Sequence, residues 1–138
     1  MNNKHPELAD WVTTRAEWTP KGAFTALRVA AEENVKSRNA AAPAFEEDGH
    51  RFQCSREGDR VFRVLDRYGV PGRNAVEFTL LDGKVIVSRG KMTAIEAWPV
   101  LTHDGVRKFQ MLERDEDCPL MPWQLLREAL EHLFFEQR

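Results

Sequence analysis

Between residues 43 and 113, short apolar runs alternate with turn signals, and this spacing constrains the fold more than any other feature of the chain. Each signal contains a glycine and lies between runs rich in Val, Ile, Phe or Thr; the signals cover residues 47–49, 57–59, 69–72, 82–83, 89–90 and 103–105. Such a pattern predicts strands joined by short turns. Connections this short cannot cross a sheet, so consecutive strands should pair antiparallel, as a meander.

The runs between these turns predict six strands, and a seventh is predicted to precede them. The six cover residues 51–56, 60–68, 74–81, 84–88, 94–102 and 106–113, and the seventh covers 44–47. Asp82-Gly83 is the strongest hairpin signal, because both central residues of a type I′ turn need positive φ. Alternation, as in Val76 and Phe78 against Glu77, predicts one apolar face and one charged face.

Helical spacing marks three further segments. The first covers residues 6–18. The second begins at Thr19, as the N-cap, and Pro20, and it runs to about Asn39. The third begins within residues 119–122, and its predicted apolar stripe is Trp123, Leu126, Leu130, Leu133 and Phe134. The sequence therefore predicts one α+β domain over residues 1–138, an antiparallel six- to seven-strand meander with two N-terminal helices and one C-terminal helix packed on it.

Composition narrows the classes of partner. The net charge of −2 gives no reason to expect nucleic acid or an anionic membrane as a partner. No stretch approaches the roughly 20 apolar residues of a membrane helix, and the polar start does not resemble a secretory signal. Two cysteines are too few for a disulfide framework and favour a cytoplasmic protein, although a single bridge between Cys54 and Cys118 stays open.

No local motif indicates catalysis, a cofactor or a metal. The histidines are isolated from one another, and the chain contains no phosphate-binding glycine loop and no nucleophile elbow around a serine. The sequence therefore favours a protein that is not an enzyme. The residues that would serve an active site are His50, His103 and Cys118, which would have to converge from separate elements.

Cys118 is the candidate for a reactive thiol. It lies at the predicted start of the last helix, where the helix dipole would lower the pKa of the thiol. The neighbouring Asp115 and Asp117 act in the opposite direction, so an ordinary loop residue is the simpler interpretation. Cys54, on the apolar side of its strand, is predicted to be a core residue.

Tryptophan placement is the feature that points toward binding. The strand at residues 94–102 is apolar on both sides, because Trp98 and Val100 oppose Ile95 and Leu101. The second side needs a cover, which the first helix, a second protomer or a separate partner would provide. The predicted interaction surface therefore comprises Trp98, Val100, Trp11 and Trp18.

Two functions follow from these patterns. The favoured one is a non-enzymatic protein-interaction domain, of the adaptor, chaperone-like or inhibitor type, that binds a protein partner or forms a homodimer. The alternative is a small domain that binds a hydrophobic ligand in a pocket between the curved sheet and the C-terminal helix. The outline of this alternative resembles helix-grip ligand-binding domains, and that likeness concerns the fold alone.

Overall fold

Three helices and a six-stranded sheet form the part of the chain that the structure, a computed structural model, describes: residues 10–41, 49–115 and 117–135. The helices are α1 (Trp11–Glu17), α2 (Pro20–Ala40) and α3 (Pro122–Phe135). The strands are β1 (Phe52–Glu57), β2 (Val61–Asp66), β3 (Ala75–Leu81), β4 (Lys84–Arg89), β5 (Met92–Leu101) and β6 (Arg107–Met111). The predicted α+β class and helix order are confirmed.

The sheet is an antiparallel meander in which the strand order follows the sequence from β1 to β6. The predicted bounds of all six strands agree with the observed ones to within two residues at each end. The tight turn at Asp82 and Gly83, with φ values of 54° and 78°, connects β3 to β4, as predicted from the need for positive φ. The predicted strand at residues 44–47 lies outside the described residues.

The meander sorts the turns between the two ends of the sheet, because each antiparallel strand reverses the direction of the chain. The end where β1 begins, here called the proximal end, also carries the β2–β3 turn, the β4–β5 turn and the exit from β6 toward α3. The opposite, distal end carries the other three turns. The residues directly after β2, β4 and β6 therefore lie at the proximal end.

Helices α2 and α3 cover the inner face of the sheet, and aromatic rings fill the layer between them. The most deeply buried large side chains include five phenylalanines with at most 2% of their surface exposed: Phe24, Phe52, Phe62, Phe78 and Phe109. The rings of Phe62 and Phe78 stack with centroids 4.4 Å apart. Burial of each such side chain contributes roughly 1.5–3 kcal/mol to stability. This filled layer weighs against a hydrophobic-ligand pocket between the sheet and α3.

Side chains near the two ends of α2 position it on the sheet. Thr19 is the N-cap, as predicted, and its Oγ1 accepts a hydrogen bond of 3.0 Å from the backbone N–H of Gly22. At the other end, the side-chain amide of Asn39 donates to the carbonyl of Phe52 and accepts from the Phe52 N–H, both at 3.0 Å. Asn39 therefore pairs with the edge strand β1 as a neighbouring strand would.

The buried face of α3 differs from the predicted stripe. Trp123 was assigned to that stripe, but 58% of its surface is exposed. The buried residues of α3 are Leu125, Leu126, Ala129, Leu130 and Phe134. Leu125 and Ala129 extend the apolar face on the side away from Trp123, so the helix is rotated toward them and Trp123 is left at the rim.

Candidate functional site

Three of the four residues of the predicted interaction surface line one groove at the distal end of the sheet. Trp18, Trp98 and Val100 border this groove, which has a volume of about 570 Å³. Trp18 is 5% exposed, and its indole N–H donates to the carbonyls of Val100, at 2.9 Å, and Lys108, at 3.2 Å. Trp18 is thus an anchor that joins the end of α1 to β5 and β6.

The second apolar side of β5 is only partly covered. Trp98 and Val100 are half-buried in the groove, whereas Trp11, the fourth predicted residue, is 62% exposed on α1. Helix α1 has no buried residue. Trp18 itself packs its ring on Phe109 in the core, with centroids 5.4 Å apart, so α1 brings no buried apolar side chain to the second side of β5.

The histidines proposed for an active site lie at opposite ends of the sheet. His50 precedes β1 at the proximal end, and His103 lies in the β5–β6 turn at the distal end. Since β5 alone spans ten residues at about 3.3 Å per residue, these two side chains do not share a site. Among the described residues, no group of three or more His, Cys, Asp or Glu side chains is arranged to hold a metal ion.

The two cysteines occupy different environments, and neither forms a disulfide. Cys118 is exposed and lies four residues before α3 begins at Pro122. Cys54 is half-buried against the core, as predicted. Burial, with a smaller contribution from Glu32, raises the pKa of the Cys54 thiol to about 11.

A wide cleft follows the exposed side of α3 and forms the largest of the surface cavities described here. It has a volume of about 770 Å³, and we call it the α3 cleft; its lining residues are Arg89, Arg114, Leu120, Trp123, Gln124, Arg127, Glu128, Glu131, His132 and Phe135. Two large aromatic side chains border it, Trp123 with 58% and Phe135 with 63% of their surfaces exposed. Neither aromatic residue is needed to fill the core.

Ion pairs within the α3 cleft neutralise two of its arginines. Arg114 contacts Glu128 with a nitrogen–oxygen distance of 2.8 Å. Arg127 contacts Glu131, one helical turn further along, at 3.2 Å. Arg89, which lines the same cleft, has no carboxylate within ion-pair distance among the described residues.

A second, smaller cavity adjoins the α3 cleft at the proximal end of the sheet. This arginine pocket has a volume of about 330 Å³ and is lined by Arg51, Asp66, Tyr68, Gly69, Val70, Arg73, Asn74, Arg89, His132 and Leu133. Arg89 and His132 line both cavities. The two cavities therefore form one continuous concave surface between α3 and the β2–β3 turn.

Asp66, at the end of β2, organises the wall of the arginine pocket. Both of its carboxylate oxygens accept from Arg51, from Nε and Nη2, at 2.9 Å each. One of them also accepts from the backbone N–H of Tyr68 at 3.0 Å, and the side chain of Asn74 donates to the Asp66 carbonyl. Burial raises the pKa of Asp66, but the hydrogen bonds from Arg51 and Tyr68 outweigh burial and leave this pKa below its ordinary value.

Arg89 reaches the pocket from the inner face of the sheet. It pairs with Val76 and follows Val85 and Val87 at alternating positions of β4, so its side chain leaves the strand on the core side. Its Nε is buried and has no hydrogen-bond partner. A buried donor without an acceptor costs roughly 1–3 kcal/mol, so the fold holds this guanidinium in an unfavourable state.

Sequence reasoning missed the arginine pocket, although a signal for it exists. Arg89 and Asp66 both occupy inward positions of their strands, where alternation predicts an apolar side chain. Both strands are even-numbered, so their last residues lie at the same end of a meander. A search for charged residues at inward strand ends would have placed Asp66 and Arg89 near each other.

Comparisons with protein-family models, with curated proteins and with solved structures find no match to this chain. None of the helices in residues 10–41, 49–115 and 117–135 combines the length and the apolar content needed to cross a bilayer.

Proposed function

We propose that the chain is a non-enzymatic protein-interaction domain and that the α3 cleft is its contact surface. The observation that carries this proposal is the exposure of Trp123 and Phe135 in the same cleft as the unpaired Arg89. Trp and Arg are enriched among the residues that dominate binding energy at protein interfaces. Phe135 contacts Arg38 and Phe134, yet most of its surface, like that of Trp123, stays exposed and available to a partner.

The charge of the surface suits a partner segment that carries acidic and apolar side chains. The two cavities are lined by five arginines and three carboxylates, namely Arg51, Arg73, Arg89, Arg114 and Arg127 with Asp66, Glu128 and Glu131. This local excess of positive charge contrasts with the net charge of the whole chain, which is −2. Complementary charge steers the encounter of two proteins and sets their register.

A protein partner fits this surface better than nucleic acid does. Glu128 and Glu131 interrupt the arginines of the cleft, so they oppose a continuous phosphate backbone more than a segment whose acidic side chains are separated by apolar ones. The two unbridged cysteines suit a reducing compartment, and we infer that the complex forms in the cytoplasm.

The groove beside Trp98 is the second candidate contact surface, and it favours self-association. Trp98 and Val100 are half-buried on the side of β5 that faces away from the helices, and Gly83 and Pro99 border the same groove. In a twofold homodimer the same patch of both subunits meets across the axis, so two copies of this groove would cover each other's Trp98. Variation of Trp98 would test this surface separately from the α3 cleft.

Site-specific photocrosslinking in cells that make the protein tests the proposal. The photoreactive residue p-benzoylphenylalanine is placed at position 135, where it preserves an aromatic side chain at the edge of the cleft. The matched control places the same residue at position 29 on α2, where Val29 is also an exposed apolar side chain, at 48%. We expect a discrete covalent adduct from position 135 and none from position 29.

The Trp123→Ala variant then shows whether the adduct depends on the cleft. Trp123 is exposed, so its removal should leave the fold intact and reduce the yield of the adduct by roughly tenfold or more, as at an interface hot spot. Peptide mapping should place the crosslink in an acidic segment of the partner. Equal yields from positions 29 and 135, an adduct insensitive to Trp123→Ala, or crosslinking only to a second copy of the chain would overturn the proposal.

A further inference from the structure

The arginine pocket carries more positive charge than its own carboxylate can neutralise, and the geometry points to a binding site for a phosphate monoester. Arg51 and Asp66 form a closed ion pair through two hydrogen bonds of 2.9 Å. Arg73 and Arg89 line the same pocket. Within the described part of the chain, neither of these two side chains makes a hydrogen bond or an ion pair.

Two uncompensated guanidinium groups match a ligand with two negative charges. A phosphate monoester carries about −1.5 to −2 charges at pH 7 and offers three strong acceptor oxygens. The planar fork of an arginine binds two such oxygens side by side. A simple carboxylate, with a single charge, would leave one of Arg73 and Arg89 without a counterion.

The buried Nε of Arg89 separates this arginine from an ordinary solvated one. An exposed arginine without a partner, such as Arg73 alone, is common on protein surfaces. Arg89, by contrast, lines the pocket with its Nε buried and without an acceptor. A phosphate oxygen placed between the two side chains would supply the missing acceptor for Arg89.

The pocket is formed before any ligand arrives. Asp66 holds the β2–β3 turn through the N–H of Tyr68 and the side chain of Asn74, each at 3.0 Å. Gly69 packs so closely on this turn that a Cβ atom there would lie 2.7 Å from the Cβ of Asn74. A preformed site binds with a smaller entropic cost of ordering.

The size of the pocket restricts the ligand. Its volume of about 330 Å³ lies at the small end of the range for ligand sites, roughly 300–1,000 Å³. It holds a phosphate and a small organic group, for which Tyr68 and Leu133 provide an apolar wall. The phosphate can belong to a free small ester or to a phosphorylated side chain of a protein; the chemistry at the arginines is the same.

This inference goes beyond protein docking at the α3 cleft, and the two can fail separately. Isothermal titration calorimetry with the full chain and phenyl phosphate tests it without any protein partner. We expect saturable binding that weakens by about tenfold or more in each of Arg89→Gln and Arg73→Gln, the loss that removal of a hydrogen bond to a charged group carries. Because Arg73 is exposed, its variant keeps the test valid even if the Arg89 variant folds poorly.

Arg63→Gln is the matched control, because Arg63 lies on the outer face of the sheet and is paired with Glu57 and Glu77. Its dissociation constant should equal that of the unmodified protein. The proposal is overturned if binding does not saturate below roughly 10 mM, if Arg63→Gln weakens it as much as Arg89→Gln does, or if benzoate binds as tightly as phenyl phosphate.

A second titration identifies the source of the phosphate. The probe is the pentapeptide Ala-Ala-phosphoserine-Ala-Ala. Tighter binding of this peptide than of phenyl phosphate assigns the pocket to a phosphorylated protein segment, and the reverse order assigns it to a free ester; both orders support the phosphate site. If phenyl phosphate binds while position 135 yields no crosslink, the docking proposal alone fails.

Discussion

Asp66 accepts two hydrogen bonds of 2.9 Å from the guanidinium of Arg51, at the proximal end of the sheet. This closed pair accounts for one arginine of the pocket and for the position of the β2–β3 turn. It leaves no carboxylate for Arg89, whose Nε is buried in the same region without an acceptor. The same few residues therefore include a stabilising ion pair and a guanidinium without a partner, and substitution of Asp66 or of Arg89 should have different effects on stability.

Asp66→Asn should lower the free energy of unfolding by roughly 1.5–3 kcal/mol, because it removes charge-assisted hydrogen bonds in a pair that is largely shielded from water. Urea unfolding monitored by circular dichroism measures this change. Glu77→Gln is the control, since the Arg63–Glu77 pair is more exposed and should contribute less than about 1 kcal/mol. Equal losses in the two variants would contradict the structural role of Asp66.

The effect of Asp66→Asn on the free energy of unfolding should depend on pH. The folded protein holds the pKa of Asp66 below its ordinary value, so the charged carboxylate stabilises the fold above the unfolded pKa of about 3.9. This contribution is lost as the pH falls through the lower, folded value. The difference in stability between the unmodified protein and Asp66→Asn should therefore be constant near neutral pH and shrink below about pH 4. A difference that grows in acid would be inconsistent with the lowered pKa.

Thiol labelling should distinguish Cys54 from Cys118. In the folded protein at pH 8, Cys118 is exposed and should react rapidly with a disulfide reagent. Cys54, with a pKa of about 11, has about one part in a thousand as thiolate at that pH and should react only after unfolding. Cys118→Ser should remove the fast phase completely. Two fast thiols of equal rate would refute the half-buried position of Cys54.

Asn39→Ala should destabilise the protein by about 1–2 kcal/mol, because it removes both hydrogen bonds from the amide to the backbone of Phe52. Asn39→Asp offers a matched comparison: it can still accept from the Phe52 N–H but cannot donate to the carbonyl. We expect an intermediate loss for Asn39→Asp in urea unfolding. Hydrogen exchange at the Phe52 amide should accelerate in Asn39→Ala, and an unchanged rate would contradict this pairing.

Gly83→Ala should cost about 1–2 kcal/mol, because Gly83 has a φ of 78° that an L-residue adopts only with strain. Gly49→Ala is the control, since a Cβ at Gly49 meets no atom within 4 Å and the backbone there is not strained. Thermal unfolding of the two variants measures the difference. Equal midpoints would show that the β3–β4 turn does not require positive φ.

The sequence predicts those parts of this fold that local chemistry decides. Asp82-Gly83 sets a hairpin by its own backbone preference, and Thr19-Pro20 sets a helix start, so both appear where expected. The rotation of α3 does not depend on local chemistry. It depends on how Leu125 and Ala129 meet the sheet, and the exposure of Trp123 therefore did not follow from the helical pattern.

The arginine pocket was harder to predict because its residues come from distant parts of the chain. Asp66 and Arg89 are at inward strand ends, and Arg51 precedes β1. They come close together because of the strand order, which the short turns imply. The shape of the pocket also depends on where α3 packs against the sheet, and no turn determines that position. The exposed apolar pair Trp98 and Val100 could be found from the sequence because the two residues alternate on one strand, whereas the groove beside them also needs Trp18, Pro20 and Gly83 from distant segments.

The fold holds Arg89 unpaired for a ligand, and the stability of Arg89→Met is the sharpest check of that role. Methionine keeps an apolar stem of similar length and removes the buried donor. If Arg89 serves binding, the free energy of unfolding in urea should stay the same or rise by up to about 1 kcal/mol, since a buried donor without an acceptor is lost. A loss of more than about 1.5 kcal/mol, comparable to that expected for Asp66→Asn, would show that Arg89 is a structural residue and would contradict the account.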